Sequence, residues 1–392
     1  MKIKFVLFLI FSCSELFSQN INFDKGFIKE RNYFAEIAYE LINEKIIVPV
    51  AINGKIYKFL LDTGAPNIIS TRIFEELNLV KISAGKISDA NNVLQSMQVT
   101  EIPSIKIGTL NFEKQPTLIY DFDNNTLFSC YQIDGIIGSN LLRKSILKIN
   151  TSQQKIYITN NVKNVEPKTK PTKITLVGSQ KSPLMQVGFI GKNNKKANDI
   201  ALIDTGMDGY YDMSNRAFNY FVESEIFETV AKAEGVSGIG IFGAGTVATQ
   251  RLLKAETTIL NNTSVKNLLI ETTDDTNSRI GLAFLNHGNL IIDFRHKNAY
   301  FEASDTIVLE NNIPKYTPTI IDNKFVVGIV WDENLAKKMS HGDEIISIDS
   351  QKLSKMPFCD VLNLGKELKN KEKVTIDYRN KENEIRSIVI EK

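Results

Sequence analysis

The feature that most constrains this chain is an internal duplication. Residues 46–70 and residues 184–214 each contain an apolar strand, a turn, a second apolar strand and the tripeptide Asp-Thr-Gly. The turn residues and the β-branched runs beside them predict β-hairpins. Because a repeated pattern predicts a repeated structural unit, we expect two copies of one mostly β unit.

The similarity between the copies continues downstream at matching distances. Gly138 follows Asp62 by 76 residues, and Gly281 follows Asp204 by 77. From these glycines onward the two copies align without gaps. The duplication therefore extends far beyond the two tripeptides.

Composition excludes several classes of function. The chain has 47 Lys and Arg against 45 Asp and Glu, so its net charge of +2 predicts neither a nucleic-acid partner nor a polybasic membrane contact. With 43% hydrophobic and 23% charged residues it has an ordinary globular composition, which excludes whole-chain disorder. Only three Cys and three His occur, so we expect no disulfide scaffold and no metal site.

The N-terminal residues predict export. Lys2 and Lys4 precede an apolar run, residues 5–11, and small polar residues follow. This layout is typical of a signal peptide, here residues 1–19, and predicts a periplasmic or secreted protein. The apolar run is too short to span a bilayer. Lipid attachment at Cys13 and a buried N-terminal strand or helix are the alternatives.

The remaining cysteines, Cys130 and Cys359, fall in different predicted domains. A bridge between them cannot be argued from the sequence. We therefore expect two separate buried thiols.

Composition also suggests domain boundaries. A Pro- and Lys-containing linker without apolar periodicity occupies residues 165–172, and a second boundary falls within residues 303–318. The predicted segments are a signal peptide (1–19), an N-terminal lobe (20–164), a C-terminal lobe (173–304) and a small α+β domain (316–392).

The duplicated tripeptide has a specific chemistry. Each apolar strand buries the carboxylate that follows it, Asp62 or Asp204, and a glycine then permits a tight turn. Two carboxylates brought together by pseudo-symmetric lobes share one proton, and their pKa values separate. The ionised member can take a proton from water while the protonated member polarises a carbonyl, with neither metal nor organic cofactor.

These residues resemble the active-site motif of the pepsin and retropepsin-like aspartic proteases. The resemblance covers residues 40–302 and implies two β-barrel-like lobes, a cleft between them and one shared site. It implies catalytic roles for Asp62 and Asp204, and crossed hydrogen bonds between the loops that contain Thr63 and Thr205. The loop-forming residues that it assigns are Thr63, Gly64, Ala65, Thr205 and Gly206; those passing behind the aspartates are Ile136, Ile137, Gly138, Ile280 and Gly281.

The second motif departs from the family pattern. Met207 replaces the usual Ser, Thr or Ala, and the stretch beginning at Arg279 matches less well than its first-lobe counterpart. Without a hydroxyl after either glycine, the resemblance suggests a pH optimum less acidic than that of pepsin. A rate profile peaking below about pH 3 would contradict this expectation.

Each lobe should also contribute a flap or its remnant. In the first, residues 83–99 form a predicted hairpin around Gly85; in the second, residues 235–245 are glycine-rich. Mobile surface loops are the alternative for both segments.

The C-terminal residues resemble a PDZ domain. The stretch from His341 to Asp349 is similar to that family's G-D-x-I-x-x-I-[ND] motif, and we expect strands at 325–330 and 344–349, short helices near 333–339 and 357–369, and two further strands. The resemblance implies that a peptide ligand adds as a strand beside Phe325, Val326, Val327, Gly328 and Ile329. The alternative is a domain that only braces the lobes.

The sequence thus predicts an exported, monomeric aspartic endopeptidase that acts on peptides or unfolded proteins. Two alternatives remain open. One is an inactive peptide-binding protein of the same fold. The other is a retropepsin-like homodimer that uses Asp62 of each chain.

Overall fold

The computed structural model describes residues 21–236, 238–310, 313–368 and 371–391. Strands dominate these residues, which confirms the mostly β fold class. The predicted signal peptide and Cys13 lie outside the described residues. Within the described ranges, no helix combines the length and apolar character that crossing a membrane requires.

The first unit consists of strands in which buried and exposed residues often alternate, as in Phe34–Ala38. Such alternation points every second side chain into the core. The strands are β1 (Phe27–Ile28), β2 (Phe34–Ala38), β3 (Glu40–Ile42), β4 (Lys45–Ile52), β5 (Lys55–Leu61), β6 (Ile68–Ser70), β7 (Lys81–Ser88), β8 (Leu94–Ile107), β9 (Leu110–Tyr120), β10 (Gly135–Ile137), β11 (Ile146–Asn150) and β12 (Lys155–Thr159). The helices are α1 (Thr71–Glu76), α2 (Thr126–Ser129) and α3 (Ser139–Leu142).

The second unit repeats this plan. Its strands are β13 (Thr172–Val177), β14 (Ser182–Ile190), β15 (Lys196–Ile203), β16 (Tyr211–Ser214), β17 (Glu228–Gly235), β18 (Ile239–Gly240), β19 (Gly243–Ala244), β20 (Ala248–Lys254), β21 (Thr257–Leu260), β22 (Thr263–Lys266), β23 (Leu269–Thr273), β24 (Ser278–Ile280), β25 (Gly288–Asp293), β26 (Asn298–Ala303) and β27 (Thr306–Val308). Helix α4 is Asn215–Phe218, and 3₁₀ turns occupy Val162–Asn164, Lys192–Asn194 and Leu282–Asn286.

The two units share one continuous sheet. Part of its order runs from β13 through β26 and β25 of the second unit to β11, β12 and β2 of the first, so the two units meet at one junction between β25 and β11. At its centre β11 pairs antiparallel with β25, and Lys148 lies opposite Ile291. Each of these residues follows its own repeat glycine, Gly138 or Gly281, by ten positions. Equivalent residues therefore face each other, as a pseudo-twofold axis requires, and one hydrophobic core extends through both units.

The C-terminal module has its own sheet and core. Its elements are β28 (Tyr316–Ile321), β29 (Lys324–Val330), β30 (Glu344–Ile348), β31 (Gln351–Lys352), α5 (Phe358–Leu368), β32 (Lys373–Arg379) and β33 (Ile385–Glu391), with a 3₁₀ turn at Leu353–Lys355. The main sheet order is β28, β29, β30, β32 and β33, and β31 pairs with β30.

Two predictions for the module are wrong. The helix expected near 333–339 is a series of turns, in which the Asp332 carboxylate accepts hydrogen bonds from the amides of Asn334 and Leu335. The strand assigned to peptide capture, Phe325–Ile329, lies inside the sheet. Since β28 occupies one side of it and β30 the other, neither of its sides is open to a ligand strand.

The cysteine prediction is also wrong. Cys130, at the end of α2, forms a disulfide with Cys359, at the beginning of α5, across 229 residues of sequence. The bond joins the first unit to the C-terminal module. Sequence spacing gave no reason for this pairing, because only the folded chain brings the two segments together.

Candidate active site

The two aspartates lie at the ends of equivalent strands. Asp62 follows β5 and Asp204 follows β15. The Asp62 amide donates to the Ile137 carbonyl at 3.0 Å, and the Asp204 amide donates to the Ile280 carbonyl at 2.9 Å. Behind each aspartate, a parallel strand, β10 or β24, pairs with the strand that leads into it. Each unit thus supports its carboxylate by the same backbone arrangement.

The loops that carry the aspartates are joined by crossed hydrogen bonds. The Thr63 amide donates to Thr205 Oγ1 at 3.0 Å, and the Thr205 amide donates to Thr63 Oγ1 at 3.2 Å. Each hydroxyl also donates to the opposite strand, Thr63 to the Ile203 carbonyl at 2.6 Å and Thr205 to the Leu61 carbonyl at 2.9 Å. Both threonines are almost completely buried. These bonds fix the separation of the two loops.

The glycines of the tripeptides bring each carboxylate against the other loop. A Cβ atom added to Gly64 would lie 2.7 Å from Asp204 Cγ, and one added to Gly206 would lie 2.5 Å from Asp62 Cγ. Real Cβ atoms do not approach other atoms this closely. The site therefore needs glycine at both positions, because the two aspartates converge there from opposite units.

The supporting contacts of the two carboxylates differ. Asp62 Oδ1 accepts from the amides of Gly64 at 2.8 Å and Ala65 at 3.1 Å. Asp204 Oδ1 accepts from the Gly206 amide at 2.9 Å, while its Oδ2 accepts from Arg279 Nη1 at 2.9 Å. A cation therefore contacts one aspartate directly and not the other.

Sequence reasoning missed the role of Arg279. Its guanidinium forms ion pairs with Asp204 and Asp275, and its side chain is 19% exposed. The equivalent residue in the first unit is Ile136, which is buried. A charged residue at a strand position where the repeat has isoleucine was the available signal.

The environment perturbs the protonation of Asp62. Burial and the neighbouring Asp204 charge raise the pKa of Asp62 to about 7, although Arg279, the Gly64 amide and Lys45 oppose the rise. Asp62 therefore carries a proton in mildly acidic solution. Because Arg279 contacts Asp204, the negative charge of the pair is best stabilised on Asp204.

A polar row lies beside Arg279 on the sheet of the second unit. Asp212 on β16 is opposite Arg279 in register, and Glu271 on β23 is opposite Asp212. Burial raises the pKa of Asp212 to about 7 and raises that of Glu271 well above its usual value. Neither carboxyl group stood out as a candidate in the sequence.

The loop after the second tripeptide holds a further cation. Lys45 Nζ donates to the Gly206 carbonyl at 2.5 Å and forms an ion pair with Asp208 at 2.5 Å. Met207, the departure from the family pattern, lines the adjoining cavity rather than the space between the aspartates. In the part of the chain that the structure describes, no group of three or more His, Cys, Asp or Glu residues could hold a metal ion.

The two predicted flap segments meet over the aspartates. In the first unit, β7 and β8 form a hairpin whose turn lies at residues 89–93, while Gly85 is within β7. In the second unit, β18 and β19 form a small hairpin. Asn91 Nδ2 donates to the carbonyls of Gly238 at 3.3 Å and Gly243 at 3.0 Å, so the first hairpin contacts the second.

Two large cavities reach the aspartates. One, of about 730 Å³, is lined by Asp62, Asp204 and both hairpins. The other, of about 590 Å³, is lined by Asp62, Arg279 and residues of the C-terminal module. Volumes of this size accommodate several residues of an extended polypeptide.

The model of the aspartyl protease family matches residues 48–141. This range contains the first Asp-Thr-Gly and the loop behind it, and covers less than half of the chain. No curated protein matches the chain. The match supports an aspartyl-protease-like protein and, more broadly, a hydrolase.

Proposed function

We propose that this chain is an exported aspartic endopeptidase that hydrolyses peptide bonds with one shared pair of aspartates, Asp62 and Asp204. The observation that carries the proposal is the reciprocal fit of the tripeptides, in which each glycine packs against the carboxylate of the opposite unit. The family match over the first unit supports the reaction type.

Arg279 contacts Asp204 but not Asp62, and this difference suggests a different catalytic role for each aspartate. Asp204, beside Arg279, acts as the carboxylate that takes a proton from the attacking water. Asp62 carries the proton and donates a hydrogen bond to the scissile carbonyl, whose oxygen becomes negative as water adds. When the carbonyl re-forms and the C–N bond breaks, the proton taken by Asp204 passes to the leaving amine; Asp204 is again ionised, and Asp62 still holds its proton for the next cycle.

The substrate class follows from the shape of the larger cavity. The two hairpins cover a long space above the aspartates, and both carboxylates open into it. An extended peptide or an unfolded protein fits such a space, whereas a folded domain does not pass beneath the hairpins.

The proposal includes the arrangement of domains and the compartment. The two units act as the N-terminal lobe (20–164) and the C-terminal lobe (173–304), followed by a PDZ-like domain (316–392). The disulfide between Cys130 and Cys359 supports export, because such bonds persist in oxidising compartments.

The test is hydrolysis of an unfolded polypeptide by the purified full chain. Asp62→Asn and Asp204→Asn should each lower the rate on the order of 10²–10⁴-fold, the usual contribution of a positioned acid or base. Asp123→Asn, the same change at an exposed carboxylate, serves as the matched control. Unchanged hydrolysis in either active-site variant would contradict the proposal.

One observation favours a second candidate, an inactive peptide-binding protein. The Arg279 guanidinium occupies Oδ2 of Asp204, an oxygen that the proposed reaction needs for water. If peptides bind to the unsubstituted chain but are never cleaved, this candidate replaces the enzyme. The homodimer alternative is less favoured, because Asp62 already faces Asp204 of the same chain; a specific activity that falls on dilution would support it.

A further inference from the structure

Two carboxyl groups that the proposed reaction does not use lie side by side in the smaller cavity. Asp212 on β16 and Glu271 on β23 are register partners on parallel strands, so their side chains extend from the same face of the sheet, with roughly 5 Å between the strands. Both line the cavity of about 590 Å³ that Asp62 also lines. The pair of acids therefore opens into the space that holds a reacting aspartate.

The two cations that line this cavity already have acidic partners. Arg279 forms ion pairs with Asp204 and Asp275, and Lys45 forms one with Asp208. The guanidinium thus contacts two carboxylates and the ammonium one. Neither cation is left to neutralise a further acid.

Asp212 and Glu271 have no such partner. Within the residues that the structure describes, no Lys, Arg or His forms an ion pair with either of them. Glu271 Oε1 is buried and accepts no hydrogen bond. Burial raises the pKa of both groups, because each charged form has lost water without gaining a cation. A positively charged ligand would supply the missing partner.

Thr319, which belongs to the C-terminal module, is an independent indication of a ligand in the same cavity. It is 5% exposed, lines the cavity and has no hydrogen-bond partner for its Oγ1. A buried hydroxyl without a partner is costly, because it has lost its hydrogen bonds to water. A hydroxyl oxygen can accept from a cationic donor. We call Asp212, Glu271 and Thr319 the acidic pocket.

The acidic pocket lies beside the aspartates at the distance of a long side chain. Along the row of register partners, Glu271 is two strands, or roughly 10 Å, from Arg279, which contacts Asp204. Beyond Glu271 the row continues with Leu252, which packs with Trp331 of the module. The module therefore covers the sheet next to the pocket. A charge on a flexible stem can reach such a position while its backbone stays near the aspartates.

We infer that the acidic pocket binds a lysine or arginine side chain of the substrate and so determines which peptide bond lies at the aspartates. This inference rests on the proposed function, since it names the substrate class of the same site. An ammonium has three donors and a guanidinium five, so either can bond to all three side chains of the pocket. A metal ion is a poorer occupant, because no three or more His, Cys, Asp or Glu among the described residues form a metal-binding group.

The first measurement identifies the bonds that the purified full chain cleaves. An unfolded protein is digested, and the ends of the products are determined by mass spectrometry. At one fixed position relative to the cleaved bond, Lys and Arg together should occur at least about three times more often than in the substrate as a whole. If no position shows this enrichment, the inference is overturned.

Two matched peptides then isolate the charge. They differ only at that position, where one has lysine and the other norleucine, which keeps the four-carbon stem without the ammonium. The unsubstituted chain should cleave the lysine peptide with a kcat/KM at least about tenfold above that of the norleucine peptide. Asp212→Asn combined with Glu271→Gln should reduce this ratio to less than about threefold. The matched control, Glu228→Gln at an exposed position on β17 of the same sheet, should keep the ratio.

The double variant keeps the shape of the protonated carboxyl groups, the form that burial favours. If it nevertheless fails to fold, Thr319→Val tests the pocket from the module and should reduce the ratio by about threefold or more. A ratio that survives in the double variant and in Thr319→Val would place the recognised charge elsewhere. Equal losses for the two peptides would mean that Asp212 and Glu271 act on the fold or on Arg279. Either result overturns the inference.

A binding measurement separates this inference from the proposed function. A short labelled peptide with lysine at alternate positions, and its norleucine counterpart, are compared by fluorescence anisotropy on Asp62→Asn protein with and without Glu271→Gln. A preference for lysine that Glu271→Gln removes supports the acidic pocket even if the unsubstituted chain hydrolyses nothing, a result that would end the enzyme proposal alone. Hydrolysis of both peptides with equal kcat/KM and equal binding would end only the acidic pocket.

Discussion

The first and second units share a backbone plan but differ in one row of side chains beside the aspartates. In the first unit this row is Leu60, Ile136, Ile68 and Leu118, all at most 3% exposed; in the second it is Leu202, Arg279, Asp212 and Glu271. Register pairing places corresponding members on equivalent strands. The two copies therefore share the same backbone geometry, while the second has ionisable side chains at three positions where the first has apolar ones.

This difference in side chains identifies a row of the second unit that stabilises the fold less than the equivalent row of the first unit does. Each buried aliphatic side chain contributes roughly 1.5–3 kcal/mol. Buried ionisable groups cost free energy unless they are paired and hydrogen-bonded. Glu271 Oε1 is buried without a hydrogen-bond partner. A costly row next to two aspartates is expected where function, rather than packing, determines the residues.

The largest expected effect tests a feature that the two units share, the crossed hydrogen bonds of Thr63 and Thr205. Thr63→Val and Thr205→Val each remove two buried hydrogen bonds and leave a backbone amide and a carbonyl without partners. Each should lower the free energy of unfolding by about 2–4 kcal/mol, by nearly equal amounts. Urea unfolding measures the loss, with Thr306→Val at an exposed strand position as the control. A difference above about 1 kcal/mol between the two variants would break the proposed equivalence of the loops.

The next effect tests the main difference between the units, which is Arg279 in place of Ile136. Since the proposed hydrolysis needs the proton on Asp62, activity should fall as the pH rises through about 7. Arg279→Ile introduces the first-unit residue and removes a cation that lowers the pKa of Asp62. The alkaline limb of kcat/KM against pH should therefore move upward by about one unit. Arg279→Lys, which keeps the charge, should leave the limb near its original position.

A limb that stays in place in Arg279→Ile, or moves to lower pH, would show that Arg279 does not set the protonation of the pair. A limb that moves equally in Arg279→Lys would mean that the shape of the guanidinium, and not its charge, is responsible.

A smaller effect tests how much free energy of folding the burial of Asp212, a member of the polar row, costs. The folded pKa of Asp212, about 7, lies above its ordinary value of 3.8, so the folded chain holds a proton that the unfolded chain releases. The contribution of this group to stability is therefore lost as the pH rises from about 4 to about 7. Asp212→Asn should stabilise the fold at pH 8 by about 1–3 kcal/mol and have little effect at pH 4.

Thermal unfolding at the two pH values measures this effect, and Asp123→Asn at an exposed position is the control. Destabilisation by Asp212→Asn at pH 8 would show that the carboxylate has a favourable partner in the fold.

The smallest effect concerns the residue after the second glycine. Met207→Ala gives the second loop the same tetrapeptide as the first, Asp-Thr-Gly-Ala. Because Met207 lines the smaller cavity and not the larger one that both aspartates line, kcat/KM should change by less than about tenfold, or roughly 1.4 kcal/mol. The alkaline limb should not move. A change above about a hundredfold would place Met207 against the reacting groups.

Much of the fold and part of the site could be predicted from the sequence, because duplication and strand alternation are local patterns. The mostly β fold followed from them. The structure also brings together Asp62 and Asp204, which the duplication had singled out. Arg279 could not be identified in the same way, because alternation gives the face of a residue but not the partner that its side chain reaches.

The errors in the C-terminal module have a related cause. The resemblance identified β29 correctly as a strand, but strand order in a sheet is not written in a local motif, so the edge strand β28 was overlooked. The pairing of Cys130 with Cys359 depends on the same long-range arrangement. At 333–339 the Asp332 carboxylate accepts from the Asn334 and Leu335 amides as a helix N-cap does, but the chain continues only as turns.

The position of Cys359 has a consequence for biogenesis. It follows Asp62 by 297 residues and Asp204 by 155, so the ribosome completes both aspartate loops before it adds the residue that anchors the module. Disulfides form in oxidising compartments, which an exported chain reaches after leaving the cytosol. A newly made molecule therefore completes both aspartate loops before the covalent bond to its C-terminal module can form.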